Sequence, residues 1–457
     1  MNIEKEYKGI FWVGGEHDNW KNGILKYLNG VSYVEIFGSF DENPIALGAR
    51  KRKKICHIYG RLDNSQTCVL NECKLHISNA FFLTTTINFE ELYYASTDIL
   101  VEKKVDFKRV KFKFDCLDNW IDYDAFETVW NGNTVAGVSR SSKKIEYETL
   151  YSDDKFSLEI HHSTTIPLIS PNKQYLLEQH GALSSEIKSD VTLKELSEFI
   201  DRIQDFFVFI SWSTVSLVNP LEFSDGDFNY YCYKNPRRIE NSQRHKSQKK
   251  TKSLLFTVNE IPKGQISETF QKWFKLFDKY EYALKLLISC INSSVTNREN
   301  RFINLMYALD TIQQKDITSV LKNESNLSQK DSEILEKLRT TYKVERNLIN
   351  SLKARLLKQN RPKLKDKIAK LLEPFRVAIE TDLKENFDEF IEVIVNTRNF
   401  IAHESNKEPQ IVNKDFEKYN RKLETILILI FLSKLNLSNN HVISNLHNME
   451  RYQFMMS

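Results

Sequence analysis

Thr397-Arg398-Asn399-Phe400-Ile401-Ala402-His403 is the stretch of this sequence best suited to chemistry. Histidine takes up and gives back a proton near neutral pH, because its ordinary pKa lies there. Arginine stays charged and offers a planar fork of donors to a phosphate or a developing oxyanion. Asn399, one turn before His403, can orient the imidazole or bind phosphate. Arg-x4-His by itself is common. Arg52-x4-His57 has the same spacing, and Arg50-x6-His57 and Arg238-x6-His245 fit a looser form. Context separates them, since Arg398 and His403 alone end an amphipathic helical pattern inside an all-helical region.

Helical phase constrains the pair. Phe387, Ile391, Ile394 and Arg398 follow one another at three- and four-residue steps, so a guanidinium interrupts an apolar stripe, where charge is costly. Glu392, Asn396, Asn399 and His403 form a second, polar stripe. Residues five apart on an ideal helix point about 140° from each other. Convergence of Arg398 and His403 therefore needs the reach of arginine, a break near His403, or a second copy of the chain. The plain alternative is an arginine snorkelling at a helix end and a histidine favoured by the helix dipole.

The elements that must position these residues divide by glycine content. All 13 glycines lie between Gly9 and Gly264, and Gln265–Ser457 has none. Glycine weakens helix interiors and serves turns, so its absence points to long helices. The spacing predicts helices over about 267–293, 297–315, 329–358, 363–388 with a break at Pro374, 389–404 and 412–435. Before Gly264, short alternating runs such as Ile10–Val13, Ser32–Phe37, Phe107–Phe114 and Phe156–Ile160 alternate with turn signals. Asn131-Gly132 suits a hairpin between Thr128–Trp130 and Thr134–Val138. A middle helix is expected over Thr192–Val218, capped by Thr192 with Glu195 and ended by Pro220. The fold class is α+β: a β-rich sandwich or open barrel over 1–185, a mixed connector with a basic segment over 186–264, and a helical bundle over 265–457.

Composition removes other classes. With 41% apolar and 28% charged residues the chain can build cores, and a net charge of +4 leaves any basic site to be local. The cysteines Cys56, Cys68, Cys73, Cys116, Cys232 and Cys290 form no CxxC pair, which argues against a zinc site or a disulfide scaffold. The helical region has no cluster with metal-ligand spacing, and no cofactor is implied. The longest apolar run, Ile426–Leu432, has seven residues, against about 20 for a membrane span. MNIEKEYKG lacks the apolar core of a signal peptide. The protein reads as soluble and cytoplasmic, with no membrane contact.

The helical region resembles the HEPN ribonucleases, which carry Arg-x4–6-His near the end of a long helix, often with Asn after the Arg. Arg301-Phe302-Ile303-Asn304-Leu305-Met306-Tyr307-Ala308-Leu309-Asp310 is similar to the Apea-like branch, with Asp310 where that branch has Glu. At the other end, Gly9-Ile10-Phe11-Trp12-Val13, Gly23-Ile24-Leu25 and Val34-Glu35-Ile36-Phe37-Gly38-Ser39-Phe40 resemble the β-rich domain that accompanies it, with Val13-Gly14 in place of Leu-Pro. The resemblance implies a metal-independent endoribonuclease of anti-phage defence, active as a homodimer through the HEPN domain, with tRNA among its RNA substrates. Its implied catalytic residues are Arg398, Asn399 and His403. Asp310 is a candidate ancillary acid, or else a helix-packing one. The N-terminal region would sense a phage component. Lys246, Lys249, Lys250 and Lys252, in the basic stretch before the helical region, are candidate RNA contacts or part of a plain connector. Arg50–Lys54 is a candidate contact or a solvated turn. His161 and His162 point to opposite faces of a strand and do not share a metal. The rival reading is a catalytically inactive RNA-binding or phage-sensing protein.

Overall fold

The architecture follows from a computed structural model that describes residues 5–13, 19–28, 31–40, 54–79, 84–88, 91–95, 107–122, 126–131, 134–140, 149–165, 178–189, 191–225, 229–234, 254–262, 264–292, 297–320, 329–359, 363–403, 411, 415–437 and 440–456. The chain divides into two units, one of Met1–Phe207, Val215–Lys252 and Phe256–Gln271, the other of Val208–Thr214, Ser253–Leu255 and Lys272–Ser457.

The first unit opens with six strands: β1 (Lys5–Val13), β2 (Lys21–Leu28), β3 (Val31–Phe37), β4 (Lys54–Leu62), β5 (Thr67–Asn79) and β6 (Thr84–Asn88). Each pairs antiparallel with the next around a ring, β1-β2-β3-β6-β5-β4 and back to β1, so the sheet closes into a barrel without free edges. Alternation sends Phe11, Leu25, Val34, Ile36, Ile58, Leu70 and Ile87 inward, each with no exposed surface. Phe11 fills space left by two glycines. A Cβ on Gly60 would lie 2.7 Å from its ring, and one on Gly23 would lie 3.0 Å from the ring and 2.7 Å from the Glu35 carbonyl oxygen.

β5 changes partner along its length. Lys74–Asn79 pairs with β6, while Thr67–Asn71 pairs with β7 (Glu91–Ala95). From β7 the sheet runs on through β15 (Asn229–Lys234), β14 (Leu217–Ser224), β8 (Arg109–Phe114), β13 (Glu178–Ile187), β12 (Phe156–Thr165) and β11 (Thr149–Ser152), all antiparallel. The expected hairpin is present as a separate pair, β9 (Phe126–Asn131) and β10 (Thr134–Arg140), with Asn131 opposite Thr134. Short α1 (Leu117–Ile121) holds the sheet through Asp118 Oδ1, which accepts the Gly181 N–H at 2.8 Å.

α2 (Leu193–Ser211) starts as the capping signal predicts. Thr192 Oγ1 accepts the Glu195 N–H at 3.2 Å, and Glu195 Oε2 accepts the Thr192 N–H at 2.9 Å. Its stripe of Leu196, Phe199, Ile200, Ile203, Phe206 and Phe207 is buried, and Phe199 stacks on Phe156 with centroids 4.2 Å apart. The helix stops earlier than its apolar content suggested. Trp212 takes φ +43°, and the chain continues as β14, with Pro220 inside the strand. There the register against β8 shifts between Val218 and Glu222. A proline that cannot donate to the ladder is tolerated at such an irregularity, and so marks a strand here and not a helix end.

The second unit is helical: α3 (Gln265–Asn292, beginning in the first unit), α4 (Arg298–Val320), α5 (Gln329–Thr340), α6 (Arg346–Gln359), α7 (Leu364–Leu372), α8 (Arg376–Thr381), α9 (Phe387–His403), α10 (Phe416–Lys434), α11 (Asn440–Asn448) and α12 (Glu450–Met456). The single helix expected over 329–358 is two, because the chain turns through Lys343 at φ +49°. A 3-10 turn over Glu373–Phe375 contains Pro374, the expected break. α11 and α12 were not anticipated. α10 is buried on every side from Lys422 to Leu432, the mark of a central helix rather than a striped one. No helix among the described residues is long and apolar enough to cross a membrane.

Candidate active site

α9 carries the Arg-x4-His motif. Phe387, Ile391 and Ile394 face the core and are buried, while Glu392, on the polar stripe, is exposed. Arg398, one turn beyond Ile394, is half-buried. Its guanidinium carbon lies 5.8 Å from the ring centroid of Tyr307 on α4, within cation–π range. Its Nη1 donates to Asn399 Oδ1 at 3.1 Å. An aromatic face and a carboxamide therefore meet the charge that interrupts the stripe. Thr397 is fully buried, and its hydroxyl has no hydrogen-bond partner among the described residues.

α9 is helical through His403, its last residue, so no break precedes the histidine. The His403 side chain lies outside the described residues, as do Lys246, Lys249, Lys250, Lys252 and the Arg50–Lys53 run. Asp310 is half-buried on α4 and accepts the Gln314 Nε2–H at 3.0 Å, a bond within its own helix. Sequence reasoning passed over Tyr307. The signal was there: Phe302, Leu305, Met306 and Leu309 form the buried face of α4, and Tyr307 is an aromatic standing off it, 36% exposed.

Other candidates fall to structural roles. His161 sits in β12 opposite Ala182, and burial, reinforced by Lys111 and Arg109, holds its imidazole below its ordinary pKa. Cys68, Cys73, Cys116, Cys232 and Cys290 are buried and outside any disulfide. Burial pushes the Cys68 and Cys290 thiols up to about 12, away from nucleophilic chemistry. No group of three or more His, Cys, Asp and Glu among the described residues is placed to hold a metal.

Arg301, which opens the Apea-like run, is buried against Glu424 of α10, and Phe302 packs edge-on to Phe416 at 5.6 Å. Residues 6–273 match the family described as ApeA N-terminal domain 1, and residues 303–441 match Apea-like HEPN. The chain belongs to the ApeA family. The first match spans the barrel and the long sheet, and the second runs from residue 303, inside α4, to the first residues of α11, including Tyr307 and the whole of α9. Both ends of the expected resemblance and the α+β class are thus borne out. Neither the curated proteins nor the solved structures offer a match.

Proposed function

We propose that this ApeA-family chain is an endoribonuclease of anti-phage defence that needs no metal for cleavage. The observation that carries the reading is Arg398, held half-buried beside Tyr307 on the last turns of α9 inside the Apea-like HEPN match. HEPN domains are as a family ribonuclease domains that pair and bind RNA. Here His403 would take the proton from a ribose 2′-OH, which attacks the adjacent phosphorus. The bond to the 5′ oxygen breaks, and a second histidine protonates that leaving oxygen. Arg398 would stabilise the added negative charge on the phosphorane, with Asn399 fixing its fork. The products are a 2′,3′-cyclic phosphate and a 5′-hydroxyl. The division into 1–185, 186–264 and 265–457, a cytoplasmic location, tRNA as substrate and a phage component sensed by the N-terminal region belong to the same proposal.

The test is an RNA gel with purified chain in excess EDTA. Cleavage that leaves a 2′,3′-cyclic phosphate, abolished in both His403→Ala and Arg398→Ala with folding intact, is the expected result. Cleavage lost on chelation and restored by Mg²⁺ or Mn²⁺ would overturn the mechanism. RNA binding without cleavage under any condition would favour the inactive RNA-binding reading.

A further inference from the structure

Arg346–Leu372 contains nine Lys and Arg and one acid, Asp366. With the chain at +4 overall, everything outside this stretch sums to −4. Lys363 stands at the N-cap of α7, and on the helix Lys367 and Lys370 are three residues apart, on the side opposite the buried Ile368 and Leu372. Lys363 and Lys370 are exposed and Lys367 is half-buried. None of the three has a carboxylate partner among the described residues, although Asp366 is a turn away. Like charges one turn apart on a helix repel, and cations in a first turn oppose the dipole. Lys370, in the last turn, suits the helix dipole, but Lys363 and Lys367 bring the fold no ion pair among the described residues, and the exposed row of positive charge suits a polyanion outside the fold.

α7 also lies along the helix of the motif. Lys365 Nζ meets Glu392 Oε2 at 2.9 Å, and Glu392 precedes Arg398 by six residues, about 9 Å of helix rise. Just past the other end of α7, Arg376 lies 3.8 Å from the ring centroid of Phe387 at the start of α9. α7 thus runs back along α9 with its lysine-rich start at the end nearer Arg398.

We propose that the Lys363–Lys367–Lys370 face of α7 is a track for the phosphate backbone of single-stranded RNA bound for the α9 site. This rests on the nuclease reading for its destination but not for its chemistry, since charge complementarity to a polyanion is what selects the ligand. It also places an RNA contact inside the helical unit, apart from Lys246–Lys252.

The test is binding of a fluorescein-labelled 2′-O-methyl RNA single strand, which cannot be cut by 2′-OH attack, to the full chain. Lys363→Gln, Lys367→Gln and Lys370→Gln together should weaken binding about tenfold. They should lower the slope of log K against log salt by about 2, at roughly 0.7 per phosphate contact. The control removes the same charge from exposed Lys108, Lys194 and Lys275 and should leave the slope in place. An unchanged slope in the α7 variant overturns the track, whether or not wild-type chain cuts ordinary RNA. So does loss of binding to phosphatidylserine vesicles with RNA binding intact. A slope that falls as expected while wild-type chain cuts no RNA keeps the track and overturns the nuclease reading instead.

Discussion

Arg398 is a permanent cation on an apolar stripe, and the Tyr307 ring and the Asn399 carboxamide both meet it there. A guanidinium over a half-exposed ring is stabilised by about 0.5–1 kcal/mol, and the contact also limits where the fork points. Tyr307→Phe keeps the ring and should cut RNA at nearly the wild-type rate. Tyr307→Leu keeps an apolar side chain but loses the ring and its quadrupole, and should slow single-turnover cleavage roughly two- to fivefold with little change in melting temperature, since the position is partly exposed. Equal rates for both variants would mean that the ring does not position Arg398. A second residue-scale case is the start of α2. The ion-paired hydrogen bond from Lys155, with the Thr192 N–H and hydroxyl, draws the Glu195 carboxyl down to about 2. A depressed carboxylate stabilises the fold above its unfolded pKa, and that contribution disappears as pH falls through the folded value. Wild-type stability should therefore decline from about pH 4.5 toward pH 2 more steeply than that of Glu195→Gln, measured by urea unfolding at each pH. Thr192→Ala should cost about 1 kcal/mol through the lost cap.

Among the helices, α4 and α10 meet around a buried carboxylate. Glu424 has no exposed surface, and its oxygens accept from Arg301 of α4 at 2.9 Å, Trp212 at 2.9 Å, Arg421 at 3.2 Å and Arg451 of α12 at 3.5 Å. Removing one member of a buried charge network leaves the others uncompensated, typically at a cost of about 3–5 kcal/mol. Glu424→Ala should lose that much in urea unfolding, or fail to fold. Glu424→Gln keeps the acceptor and should lose less. Equal, small losses would mean that the three arginines find water instead. The same helices show what the sequence discloses and what it withholds. Glycine absence and three- and four-residue spacing placed α3, α4, α9 and α10 within a few residues, because amphipathic periodicity is a local property. Glu424 was not legible, since its partners come from positions 212, 301 and 451, and no local pattern joins them. The full burial of α10 from Lys422 to Leu432 is likewise a tertiary property that its own spacing does not show. Most of the long sheet was missed: β13 and β14 each lay one edge on β8 and β15 lays one on β7, strands far away in sequence, and Pro220 and a strongly apolar α2 mimicked a longer helix. On α9, the phase argument found Arg398 on its apolar stripe, but Tyr307 became visible only once α4 was packed beside it.

At the scale of the whole molecule, one chain supplies one Arg398 and one His403, and α9 holds both on a continuous helix. Their positions point about 140° apart on such a helix, and acid and base duty in one turnover calls for two proton-transfer groups. A second copy answers both demands if two α9 C-terminal ends meet about a two-fold axis, each lending its histidine to a shared cleft. On the proposed reading cleavage would be a property of the pair, with a consequence for mixtures. His403→Ala chain titrated into a fixed amount of wild type should recruit wild-type chains into mixed pairs that carry one histidine instead of two. Cleavage should then fall as the inert chain is added, toward about half when mixed pairs equal wild-type pairs in wild-type chain content. Wild type alone should show specific activity that rises with concentration and levels off where sedimentation finds the dimer filled. If mixed pairs form, as two differently tagged chains co-purifying would establish, and the wild-type rate still holds, each chain is cutting alone. The reach of Arg398 around its own helix would then have to bring the two groups together.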